Sequence, residues 1–99
     1  MIIELSESAP PQLSDEDRLD RLHATVSGDP SRTLFNDFCE RGPDADHVWV
    51  DIANLRAAVL ARRDHEPGVA EQFDGVIAYA TSKGWLDESG TLVRAHIEP

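Results

Sequence analysis

The most constraining stretch of the chain is residues 68–98, where the hydrophobic period changes from helical to alternating. Apolar residues first recur at helical spacing, at Val69, Phe73, Val76, Ile77 and Ala80. This spacing predicts an amphipathic helix that ends at Gly84. After a turn with the sequence DESG, residues 91–98 alternate between apolar and polar side chains. The alternation predicts a half-buried antiparallel strand, so the C-terminal third should be a helix followed by a β-hairpin.

Helix-capping and helix-breaking residues upstream of this stretch predict three more helices. Ser14 is a good N-cap for a first helix over residues 14–28, and Asp29-Pro30 begins a second helix that ends near residue 41. Asp51 caps a third helix that starts at Ile52, directly after a short β-branched strand with the sequence HVWV. A proline pair disfavours a helix in residues 1–13, which we expect to form a flexible N-terminal arm.

The order of these elements over residues 31–98 resembles a winged helix-turn-helix domain. The stretches that carry the resemblance are VWVDIANLRAAVL and GVIAYATSKGWLDESGTLV. The resemblance implies an α+β, mainly helical fold: four helices with a C-terminal β-hairpin and a short third strand. Residues 14–99 would form the single winged-helix-like domain, with residues 14–28 as an extra N-terminal helix.

In that family the third helix of the motif lies in the major groove of DNA. The resemblance therefore implies a set of possible nucleic-acid contacts: Arg56, Arg62, Arg63, Gln72, Lys83 and Arg94. The formal net charge of −10 opposes this reading, because DNA binding draws much of its affinity from cationic contacts to phosphates. Glu71 and Asp74 would also face the groove, and the wing would end in acidic residues.

The sequence thus favours a small acidic, non-catalytic interaction or regulatory domain. A protein partner or a homodimer is expected more than DNA, through a possible interaction surface of Val48, Trp49, Val50, Glu71, Gln72, Asp74 and Gly75. A strand that is apolar on both faces motivates the first part of this surface. The alternatives are a sequence-specific DNA-binding transcriptional regulator and an acidic mimic of nucleic acid.

No chemistry is predicted from the sequence. Cys39 is the one cysteine, so an internal disulfide is impossible, and its apolar neighbours predict a buried, inert thiol. The acids around His47 do not follow a known metal-ligand spacing. We therefore expect no catalytic, cofactor or metal site and no small-molecule substrate. The chain has neither a long apolar run nor a signal-peptide pattern, which predicts a cytoplasmic protein without a membrane span.

Overall fold

A computed structural model describes residues 1–14, 22–63 and 67–98 of the chain. Within these ranges it contains six β-strands, two α-helices and one 3-10 turn. In chain order the elements are β1 (Ile2–Ser6), β2 (Gln12–Ser14), β3 (His23–Ser27), the 3-10 turn (Pro30–Arg32), β4 (Cys39–Arg41), β5 (His47–Asp51), α1 (Ile52–Arg63), α2 (Val69–Ser82) and β6 (Leu92–Glu98).

The six strands form one mixed sheet in the order β2-β1-β3-β6-β5-β4. β3 is parallel to both of its neighbours, β1 and β6, while the other pairs are antiparallel. The last strand in the sequence therefore lies near the middle of the sheet. It joins the N-terminal strands on one side to β5 and β4 on the other.

One face of the sheet forms the core with the two helices. Because side chains alternate along a strand, every second residue points to this face. The buried residues of the strands are Ile3, Leu5, Leu13, Ala24, Cys39, Val48, Val50, Val93 and Ala95. The helices contribute buried Leu55, Val59, Val69, Phe73 and Ala80 to the same cluster. The opposite face carries polar side chains such as Glu4, Arg94 and His96, and no helix within the described residues covers it. We call it the open face.

Local capping fixes where α1 begins. The Asp51 carboxylate accepts a hydrogen bond from the backbone N–H of Asn54 at 2.9 Å, so it satisfies one of the donors that a helix start leaves unpaired. The expected helix from Ile52 is confirmed, as are the helix over residues 69–82 and the strands β5 and β6. β5 pairs antiparallel with β6, as expected for the short third strand. The expected C-terminal hairpin is reduced to one isolated bridge between Leu86 and Val93, because residues 83–91 form no regular strand.

The expected mainly helical fold with four helices is wrong, and with it the winged-helix assignment. Residues 23–27 form β3, in the stretch where the extra N-terminal helix was expected; residues 15–21 of that stretch lie outside the described residues. Thr25 and Val26 are β-branched and suit a strand, and β3 gains parallel partners on both sides. The tertiary pairing outweighs the helical spacing that Val26 shares with upstream leucines.

The second expected helix is also wrong. The Asp29 side chain caps only the short 3-10 turn, where it accepts from the backbone N–H of Ser31 at 2.9 Å. Further on, the Asn36 side chain accepts from the backbone N–H groups of Phe38 and Cys39. Such a local side-chain bond competes with helix formation, and Cys39 enters β4 instead.

The first thirteen residues contain β1 and most of β2, where the sequence predicted a flexible arm. Ile3 is fully buried and Leu5 is 2 % exposed. The turn that joins the two strands is closed by the Ser6 hydroxyl, which accepts from the backbone N–H of Ala9 at 3.2 Å. The prolines lie in this connection, where they do not interrupt a strand.

Candidate ligand-binding site

β6 changes its hydrogen-bonded partner half way along one edge. The backbone N–H of Arg94 donates to the carbonyl of Trp85 at 3.0 Å, on the segment that follows α2. Two residues later, His96 pairs with His23 of β3. A cavity of about 420 Å³ lies at this change of partner and is lined by both Trp85 and Leu22, the residue before β3. We call it the β6 cavity.

The apolar part of the β6 cavity comes mainly from the C-terminal half of α2. Val76, Tyr79 and Ala80 line it from the helix, and Val93 lines it from β6. The rings of Tyr79 and Trp85 meet edge to face, with centroids 5.8 Å apart and an angle of 75° between planes. Because Tyr79 is 57 % exposed, this aromatic pair borders the opening of the cavity to solvent.

Three histidines form a row across the sheet beside the cavity. His96 of β6 is paired with His23 of β3 on one side and with His47 of β5 on the other. Paired residues on neighbouring strands point to the same face, so all three imidazoles lie on the open face of the sheet. The rings of His47 and His96 have centroids 5.4 Å apart. All three histidines line the β6 cavity; we call them the histidine row.

Two of these histidines face carboxylates. Nδ1 of His47 lies 2.9 Å from Oδ1 of Asp44, and Nε2 of His23 lies 3.7 Å from Oε2 of Glu98. The hydrogen bond to His47, a backbone hydrogen bond from Asp46 and the nearby charges of His47 and Arg94 hold the pKa of Asp44 below its usual value. Asp44 is therefore ionised at neutral pH and can accept a hydrogen bond from Nδ1 of His47. When the neutral ring carries its proton on Nδ1, its other nitrogen points away from Asp44 and is an acceptor.

Arg94 supplies the permanent positive charge of the cavity lining, and Glu98 supplies the negative one. Among the described residues, no carboxylate forms an ion pair with the Arg94 guanidinium. Arg94 neighbours Trp49 across the β5–β6 pair, on the same open face as the histidine row. Its five N–H donors are suited to a planar, negatively charged group.

The cavity lining offers a ligand an apolar wall, three imidazoles, one guanidinium group and one carboxylate. No group of three or more histidine, cysteine or acidic side chains within residues 1–14, 22–63 and 67–98 is placed to hold a metal ion. The described residues that line the cavity include no serine, threonine or cysteine that could act as a nucleophile. Cys39 is buried elsewhere in the core; burial, with a further contribution from Glu40, raises the pKa of its thiol to about 12.

The structure divides the interaction surface that the sequence predicted. Val48 and Val50 are buried in the core, whereas Trp49 is half-buried on the open face. The other members, Glu71, Gln72, Asp74 and Gly75, are exposed on α2. Because α2 packs on the core face, Trp49 and the α2 residues lie on different sides of the sheet and do not form one surface.

The residues predicted to contact nucleic acid are also dispersed. Nε of Arg56 on α1 forms an ion pair with Asp74 at 3.0 Å, and the Lys83 ammonium lies 5.5 Å from the centre of the Tyr79 ring. Arg62 lies on α1 and Gln72 on α2, while the side chain of Arg63 lies outside the described residues. Since Arg94 is on the opposite face of the sheet from α1, these side chains do not line one cationic track.

Sequence reasoning missed the histidine row. It placed His23 on a helix and treated His47 and His96 as unrelated positions in two strands. The alternation of β6 correctly put His96 on a polar face, but nothing in the local sequence gives the register between β5 and β6. The available signal was weak: a histidine in each of two segments with strand character.

None of the helices in the described parts of the chain is both long enough and apolar enough to cross a membrane. No protein-family model, curated protein or solved structure matches the chain.

Proposed function

We propose that this protein is a non-catalytic domain that binds a small organic molecule in the β6 cavity. The observation that supports the proposal is the cavity itself, which combines an apolar wall with convergent polar groups. Its volume of about 420 Å³ falls within the usual range of small-molecule sites, roughly 300–1,000 Å³. The sequence predicted no small-molecule substrate. We instead propose a small-molecule ligand that the protein binds without converting it.

The composition of the lining supports binding over turnover. Val76, Ala80 and Val93 offer apolar surface to a ligand, and the edge-to-face pair of Tyr79 and Trp85 offers aromatic surface at the opening. Aromatic side chains favour planar partners because stacked and edge-to-face ring contacts add to the burial of apolar area. The polar groups lie at the other side of the cavity, where they can fix the orientation of the ligand.

The experiment is a titration with benzyl alcohol, followed by two-dimensional NMR of the ¹⁵N-labelled protein. We expect progressive shifts at the Trp85 indole N–H and at the backbone amides of Val76, Ala80 and Val93. Spectra without saturable shifts at these positions would contradict the proposal.

A matched pair of variants on α2 locates the binding site. Val76→Phe places a larger side chain in the cavity and should abolish the shifts, whereas Ala78→Phe adds similar bulk at an exposed position of the same helix. The Ala78→Phe protein should bind benzyl alcohol like the parent chain. Equal binding by the parent and Val76→Phe proteins would place the ligand elsewhere and overturn the assignment to the β6 cavity.

A cytoplasmic location and a protein partner stay predictions of the sequence. The exposed residues on α2, Glu71 and Gln72 among them, are the part of the predicted interaction surface that is accessible to a partner. An acidic helix face of this kind suits a basic protein. Sedimentation and co-purification from native cells would test the partner, and neither measurement depends on occupancy of the β6 cavity.

A further inference from the structure

Resting on the proposed function, we infer that the β6 cavity selects a ligand with an apolar ring and a carboxylate group. Arg94 and the histidine row would bind the carboxylate, while the ring would lie against α2. The inference follows from how charge is distributed over the cavity lining and the residues next to it.

The polar groups of the cavity are mainly donors or potential cations. Arg94 is always charged, and a neutral His96 can donate one N–H bond to a ligand. A neutral His47 that donates from Nδ1 to Asp44 presents an acceptor at its other nitrogen, so Arg94 and His96 are the main donors. An anionic oxygen is the ligand atom that such a set of donors satisfies best, because bonds from an arginine to a carboxylate are charge-assisted. A cationic ligand would leave these donors without acceptors.

The carboxylates near the histidine row are already directed at imidazoles. Glu98 lies against His23, and Asp44 lies against His47. Arg94 has no such ion-pair partner among the described residues, so its guanidinium is the group that a ligand anion can pair with. The chain as a whole has a formal net charge of −10, so an anion gains its attraction from this local arrangement alone.

The two halves of the lining also set an orientation. Val76, Tyr79 and Ala80 present apolar and aromatic surface from α2, whereas Arg94 and His96 belong to the open face of the sheet. A molecule with both an apolar ring and an acid group can meet both halves at once. A simple inorganic anion would leave the apolar wall without a contact, and a neutral ring would leave Arg94 unpaired.

The test compares three probes of similar size: benzoate, benzyl alcohol and benzylamine. We expect benzoate to bind about fivefold more tightly than benzyl alcohol at neutral pH, with benzylamine weakest. Equal affinities for the three probes, or a preference for benzylamine, would overturn the inference and leave the proposed function intact. Failure of all three probes to bind would overturn the proposed function itself.

Two substitutions of opposite effect identify the residues responsible. Arg94→Gln should remove the preference for benzoate, a loss of about fivefold, and Glu98→Gln should raise benzoate affinity by a few-fold because it removes a repelling charge. The amide spectrum of each unliganded variant should match that of the parent except near the substituted residue, which shows that the fold around the cavity is intact. Arg32→Gln makes the same charge change outside the cavity and should leave all affinities as in the parent; an equal loss of benzoate binding in Arg32→Gln would refute a specific role for Arg94.

Discussion

Ile3 of β1 pairs with Ala24 of β3 in parallel strands, and neither side chain exposes any surface to solvent. The first strand is therefore part of the core. Ile3→Ala should lower the free energy of unfolding by about 2–5 kcal/mol, since it removes buried methylene groups and leaves a cavity. Urea denaturation followed by circular dichroism measures the change.

The neighbouring position gives the control for β1. Glu4 is exposed on the open face of the same strand, so Glu4→Ala should change the free energy of unfolding by less than about 0.5 kcal/mol. If Ile3→Ala were as mild as Glu4→Ala, residues 2–6 would not be packed in the core.

Alanine substitution should have opposite effects on stability at Gly75 and at Gly42. A Cβ at Gly75 would meet no atom within 4 Å, so Gly75→Ala should stabilise α2 by roughly 0.5–1 kcal/mol through its better helix propensity. A Cβ at Gly42 would clash with the backbone carbonyl of His47, so Gly42→Ala should destabilise the fold by about 1–3 kcal/mol. Thermal unfolding of the two variants checks both signs, and stabilisation by Gly42→Ala would contradict the close β4–β5 turn.

The Cys39 thiol should be unreactive in the folded protein. Burial raises its pKa from the ordinary 9.0 to about 12, so it stays protonated and inaccessible at neutral pH. Iodoacetamide should modify Cys39 only at the rate at which the chain unfolds, as followed by mass spectrometry across a urea series. Rapid modification without denaturant would show that the thiol is accessible.

The same thiol predicts a loss of stability at high pH. The unfolded chain releases the Cys39 proton near pH 9.0, whereas the folded chain keeps it until about pH 12. Above pH 9 the unfolded state therefore binds fewer protons, and this group alone lowers stability by up to about 1.4 kcal/mol per pH unit. Cys39→Ala lacks this contribution, so its unfolding free energy should fall less steeply than that of the parent between about pH 9 and pH 10.

Asp87 should contribute stability that disappears in acid. Burial of its carboxyl group raises the pKa, but this is outweighed by hydrogen bonds from the backbone of Leu92, the Ser89 hydroxyl and the backbone of Thr91 and Gly90, so the pKa is lowered overall. A lowered pKa means that the contribution is present above the unfolded value of 3.8 and is lost as the pH falls through the folded value.

The Asp87 prediction is tested by substitution at two pH values. Asp87→Asn should be less stable than the parent at neutral pH, and the difference should shrink on acidification to about pH 3, because protonation then removes the same carboxylate from the parent. Glu88→Gln removes a neighbouring exposed charge and should show no such pattern. A difference that is constant with pH would mean that the Asp87 carboxylate does not hold the turn through its charge.

The elements that could be predicted are those whose pattern is local and long. The apolar residues of α2 keep helical spacing over three turns, and β6 alternates over seven residues, so each pattern excludes the other kind of structure. β3 could not be recognised, because its five residues follow a serine and acids that are typical of a helix start. Its identity as a strand depends on β1 and β6, which are distant in the sequence.

The candidate site could not be predicted from the sequence for a related reason. His23, His47 and His96 come together through the register of three strands, and a shift of one residue would turn a histidine into the core. Sequence alone gives the face of a single strand but not the partner opposite each residue. Arg94 was singled out from the sequence, yet for contact with a phosphate backbone and not for its position beside a cavity.

The central place of β6 has a consequence for how the chain folds. Without residues 92–98, β3 and β5 have no shared neighbour, and the strands before β4 would be separated from β5 and β4. Residues 92–98 must therefore be synthesised before the two half-sheets can be joined. Since β6 pairs with β3 across about seventy intervening residues, closing that loop should slow folding, and a chain truncated after residue 91 should stay unfolded or aggregate.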